Sequence, residues 1–99
     1  PKIQYNILSI DAICDAFQEC CTIHNFSVYS ISTTEYITKQ KLKMAILNAD
    51  ANIDDTLTKQ NFISIFYDVL EQFDWLITNL ETGEETREDA FMTKLISCM

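Results

Sequence analysis

The sequence predicts an all-α fold: one small bundle of about four helices, with a single short extended segment near 26–31. Three observations carry this. One Gly and one Pro in 99 residues are few, whereas a sheet protein of this size draws on several glycines for its turns. Apolar residues recur at three- and four-residue steps along most of the chain. Residues able to cap helices stand where those periodic stretches begin.

Residues 1–8 show no period and read as an arm. Ser9 is a candidate N-cap, with Asp11 in the first turn where the helix dipole favours a carboxylate. Ile10, Ile13, Phe17 and Cys21 then give one apolar face of a helix ending near residue 23. The stretch 24–31, HNFSVYSI, is rich in β-branched and aromatic residues and is the only strand-like piece. Ser32 with Glu35 forms a capping box that would open a second helix over 33–48. Its buried stripe is Ile37, Leu42, Ala45, Ile46 and Ala49, with Lys39, Lys41 and Lys43 mostly opposite and Met44 off the stripe.

The longest predicted helix covers 59–80, capped by Thr58. Its seam is Phe62, Phe66, Val69, Phe73, Leu76 and Leu80, widened by Ile65, Leu70 and Ile77. Trp75 lies off that seam, on the side of Asp68 and Glu71. Gly83 sits just past the helix end, where a left-handed cap residue belongs. Thr86 with Asp89 opens a last helix over 87–98, with Phe91, Met92, Leu95 and Ile96 inward. No linker or low-complexity segment divides the chain, so 1–99 reads as a single helical domain. A start at Pro1 without Met suggests a domain excised from a longer chain.

Net charge is −8, from fifteen acidic and seven basic residues. This opposes binding to nucleic acid or to anionic membrane, both of which require Lys and Arg. It favours a basic partner or a cation. The run Glu81, Glu84, Glu85, Glu88 and Asp89 concentrates the acid, and reads first as a solvated loop. The apolar-rich stretch 62–80 contains Asp68, Glu71 and Asp74 and is no membrane span.

Three of the four cysteines, Cys14, Cys20 and Cys21, fall within one predicted helix, and Cys98 is distant in sequence. Reduced thiols in a cytoplasmic protein fit this better than two disulfides. Asn25-Phe26-Ser27 is a glycosylation pattern that arises often by chance. The only His is His24, so nucleophile–base pairs depend on it alone, and no enzymatic constellation emerges. Cys20 and His24 stand at i, i+4, half of a zinc site, but two more ligands would be required, and only distant Cys14 or Cys98 offers sulfur. Buried thiols and a helix-end His are the simpler reading, and no cofactor is expected.

The segment 50–66, DANIDDTLTKQNFISIF, is an oxygen-rich turn opening into a helix. Asp50, Asn52 and Asp54 alternate, Thr56 and Leu57 follow, and Asn61 closes twelve positions. With its flanking helices, about 38–72, it resembles a degenerate EF-hand of the calmodulin or myosin light-chain kind. The resemblance implies metal ligands at Asp50, Asn52, Asp54, Thr56 and Asn61. Asp55 replaces the expected Gly and Asn61 the bidentate Glu, so calcium affinity would be about millimolar at best. Residues 30–37 echo 56–63 at an offset of 26. In the first copy His24, Phe26 and Val28 replace the early ligands.

The expected function is therefore a non-enzymatic interaction module. It would bind a basic amphipathic helix of a partner protein, with weak or no calcium dependence. Trp75, Met44, Phe66, Phe73 and Met92 are the candidate partner-binding residues. The alternatives are a helical adaptor or decoy, of pathogen origin and Bcl-2-like or death-fold-like in kind, and a calcium-binding regulatory protein.

Overall fold

The computed structural model describes residues 7–49 and 56–99. It corrects the all-α expectation, because four helices alternate with five short strands in two antiparallel sheets. The order is β1 (Ile7–Ser9), α1 (Ile10–His24), β2 (Phe26–Ser30), β3 (Glu35–Tyr36), α2 (Lys39–Ala49), β4 (Thr56–Thr58), α3 (Lys59–Phe73), β5 (Trp75–Asn79) and α4 (Glu88–Cys98). β1 pairs with β4, and β3-β2-β5 form the second sheet. The fold is α+β.

Helix α1 follows its signals closely. The Ser9 hydroxyl accepts from the Ala12 N–H, and Asn25 ends the helix in the left-handed region at φ 58°. Asn tolerates that conformation better than most residues. At the other end of the loop the expectation fails. Glu35 does not cap a helix; it pairs with Ser30 in the sheet, as Tyr36 pairs with Tyr29. The Thr38 hydroxyl accepts from the Lys41 N–H instead, so α2 begins six residues later than the capping box proposed.

The 59–80 helix is cut in two. Thr58 caps α3 as expected, its hydroxyl accepting from the Asn61 N–H. Asp74 then turns left-handed at φ 56°, and Trp75–Asn79 continues as strand β5. The helical spacing of Phe73, Leu76 and Leu80 carried no information across that break. Phe62, Phe66, Val69 and Leu70 keep their core places, and Phe73 is left partly exposed. Gly83, at φ 75°, sits in the turn after β5, its N–H donating to the Asn79 carbonyl.

The two halves of the chain are one unit repeated. Adding 49 to the bounds of β1, α1, β2 and α2 returns those of β4, α3, β5 and α4. The left-handed residues obey the same rule, Asn25 matching Asp74 and Thr34 matching Gly83. So do the strand pairings. The β1–β4 ladder centres on Leu8 opposite Leu57, and β2–β5 on Val28 opposite Ile77, each a residue facing its own equivalent. The halves are thus related by an approximate two-fold axis through both ladders. Identity between them is confined to Leu8/Leu57, Phe17/Phe66, Thr33/Thr82 and Glu35/Glu84. The echo at an offset of 26 joined a strand and turn to the start of a helix, and does not reflect this repeat.

What the halves share is apolar burial. Ile13/Phe62, Phe17/Phe66, Phe26/Trp75, Leu42/Phe91 and Ile46/Leu95 are buried in both, within one continuous core. Phe17 meets Phe66 and Phe91 edge-on at 6.3 and 6.2 Å, and Phe66 stacks on Phe62 at 5.5 Å. Neither half covers its own apolar face alone, so stability comes from their association.

Candidate functional site

Two clefts flank the central sheet, and they are equivalent under the repeat. One, of about 540 Å³, is lined by Phe17, Cys21, Phe26, Val28, Ile37 and Leu80 with Gln18, Thr22 and Lys39 at its edges. The other, of about 380 Å³, has Leu70, Trp75, Leu76 and Ile31 in place of Cys21, Phe26, Ser27 and Leu80. Their chemistry differs at the rim. Lys39 of the first is answered by Glu88 in the second, where Asp68, Glu71 and Asp74 add three more carboxylates. None of these four acids has an ion pair among the described residues. The described ion pairs instead join Lys39 to Asp15, Lys41 to Glu35, Lys43 to Asp11 and Arg87 to Asp89.

The second cleft is an apolar floor rimmed by the carboxylates of Asp68, Glu71, Asp74 and Glu88. β5 supplies Trp75 and Leu76, α3 supplies Tyr67, Asp68, Leu70 and Glu71, and α4 opens with Glu88. The left-handed turn at Asp74 sets Trp75 against α3. The indole is nearly buried, and Phe73 stacks on it at 5.6 Å from the exposed side. Burial raises the Tyr67 phenol above its ordinary pKa, and Asp89 and Glu88 push the same way.

The residues proposed for partner binding are dispersed. Trp75 lines this cleft with Phe73 stacked on it, and Met44 is exposed on α2. Phe66 and Met92 are buried in the core. Of the proposed calcium ligands, Asp50, Asn52 and Asp54 lie outside the described residues. Thr56 is on β4, and Asn61 is exposed in the first turn of α3 with its N–H on Thr58.

A third cluster joins distant segments. α1 places Cys20 and His24 one turn apart, and α4 ends on Cys98. The two sulfurs and an imidazole nitrogen all lie within 4.8 Å of one another. Cys20 is buried, while His24 and Cys98 are half-buried. Burial lifts the Cys20 thiol to about 12, helped by Cys98 and Cys21. Cys21 is raised to about 12 by burial and by Cys98. Sequence spacing identified the Cys20–His24 pair and left Cys14 or Cys98 as the source of further sulfur; the structure brings in Cys98. The packing of α4 on α1 supplies that third donor, and no local pattern announces it.

Comparison with protein-family models, with curated proteins and with solved structures finds no match for the chain.

Proposed function

We propose that this protein is a non-enzymatic interaction module that binds a basic amphipathic segment of a partner protein in the cleft over Trp75. The observation that carries the reading is the pairing of that apolar floor with four carboxylates that have no ion pair among the described residues. Apolar side chains of a guest helix would cover Ile31, Leu76 and the Trp75–Phe73 stack, while its Lys and Arg meet Asp68, Glu71, Asp74 and Glu88. Such a rim raises the encounter rate and selects charge, while buried aromatic contacts supply most of the affinity.

Calcium is a subordinate part of the proposal. Helices α2 and α3 flank residues 50–58, and calcium ligation at that loop would be weak. Among the described residues no helix is long and apolar enough to cross a membrane. The four free thiols support a reducing, cytoplasmic setting.

Trp75 is the sole tryptophan, so its fluorescence reports the cleft directly. Titration with a synthetic Lys/Leu amphipathic helix should shift its emission saturably, at micromolar peptide, and the affinity should fall as salt rises. Repeating the titration with and without calcium separates the two parts. No spectral change and no heat up to about millimolar peptide overturns the proposal.

A further inference from the structure

We propose that Cys20, His24 and Cys98 form a binding site for a thiophilic divalent cation, zinc above all. Three donors from two helices converge within 4.8 Å. Tetrahedral zinc, with Zn–S near 2.3 Å and Zn–N near 2.0 Å, needs its ligands only slightly closer together than this upper bound. Two thiolates and an imidazole suit zinc and disfavour calcium or magnesium, which take oxygen. The fourth position falls to solvent. The site lies where α1 and α4 both end, and the carbonyl ends of two helices favour a cation.

The repeat supplies an internal control. The positions equivalent to Cys20, His24 and Cys98 are Val69, Phe73 and Ala49. The same fold thus builds the symmetry-related corner from three apolar residues. Neither the packing nor the backbone asks for sulfur or imidazole there, yet all three positions carry zinc donors at this corner. A Cys20–Cys98 disulfide would use the two sulfurs but leaves the convergence of His24 unexplained.

The test uses the full chain, reduced and stripped with a chelator, then titrated with cobalt(II) and with zinc. One cobalt per chain is expected, with thiolate charge-transfer bands in the near ultraviolet and tetrahedral bands in the red, both abolished by one equivalent of zinc. Changes outside the ligand shell already cost 10–100-fold, so H24F and C98A should each weaken binding at least about 100-fold. C20V, which installs the residue of the other half, should abolish the bands. C14A should leave binding unchanged. Circular dichroism establishes that each variant is folded, and H24F, at a half-buried site, keeps the test valid if C20V is not. Absence of stoichiometric cobalt binding, bands that survive in H24F and C98A, or a Cys20–Cys98 disulfide as the stable state under thiol reductant would each overturn the site.

Discussion

Val28 and Ile77 face each other at the centre of the β2–β5 ladder, and each occupies the same place in its own half of the chain. Both are almost fully buried. The pair therefore marks the seam along which two 49-residue units, almost without shared identity, close into one core.

That seam should dominate stability. Ile77→Ala is expected to cost about 2–5 kcal/mol, a large share of the roughly 5–15 kcal/mol typical of such a domain. Because the two side chains touch across the axis, Val28→Ala combined with Ile77→Ala should depart from additivity by about 0.5 kcal/mol or more. Urea midpoints of the two single variants and the double variant decide it. Strict additivity would mean that the halves are not coupled here.

Thr34 and Gly83 test the repeat through backbone conformation alone. They are equivalent turn positions at φ 54° and 75°. Thr is β-branched and strained there, so Thr34→Gly should stabilise by about 1 kcal/mol, less whatever its hydroxyl contributes locally. A Cβ on Gly83 would meet nothing within 4 Å, so Gly83→Ala should destabilise by about 1 kcal/mol through φ and not through a clash. Thermal melts of the pair should move in opposite directions.

The acid rim predicts a charge signature for partner binding. Glu71→Lys with Glu88→Lys should weaken a basic peptide at least about tenfold and flatten its salt dependence, with the melting temperature little changed. Charge reversal at Asp15 or Glu35, which already hold Lys39 and Lys41, should have much less effect on the peptide. Equal losses from both sets would place the binding surface elsewhere.

Buried Cys14 should be chemically silent. Burial, with Asp11 next, raises its thiol to about 11, so about one molecule in a thousand is thiolate at pH 8. Labelling with a disulfide reagent at that pH should require unfolding, so its rate should follow the unfolding equilibrium and rise with added urea. Fast labelling of Cys14 in the folded chain would contradict its position in the core.

Asp11 and Lys39 carry pH dependence of opposite sign. Lys43, by hydrogen bond and charge, holds the Asp11 carboxyl below its ordinary range. Its contribution is present above the unfolded pKa and lost as pH falls through the folded one. Asp15 raises Lys39, whose contribution is present below the unfolded pKa and lost as pH rises through the folded one. Both groups are solvent-exposed, so salt should reduce both effects. Asp11→Asn should flatten the acid limb of a urea-midpoint profile, and Asp15→Asn, which removes the main partner of Lys39, should flatten the alkaline limb.

Local signals in the sequence determined the helices that obey local rules. Ser9 and Thr58 cap α1 and α3 as their hydroxyls require, and the stripes Ile13–Phe17 and Phe62–Phe66–Val69 face the core because a period of 3.6 leaves them no other common side. Only the tertiary structure decided the strands. β2 and β5 satisfy backbone groups through each other, with paired residues 45 to 53 positions apart, and Trp75–Asn79 is extended because Asp74 breaks the helix and β2 offers it a ladder. Helical spacing runs through that break unaltered, so no local pattern reveals it. The same holds for the Cys20–His24–Cys98 corner and the acidic cleft. Each exists because helices and strands remote in sequence pack together, and packing is a property of the whole chain.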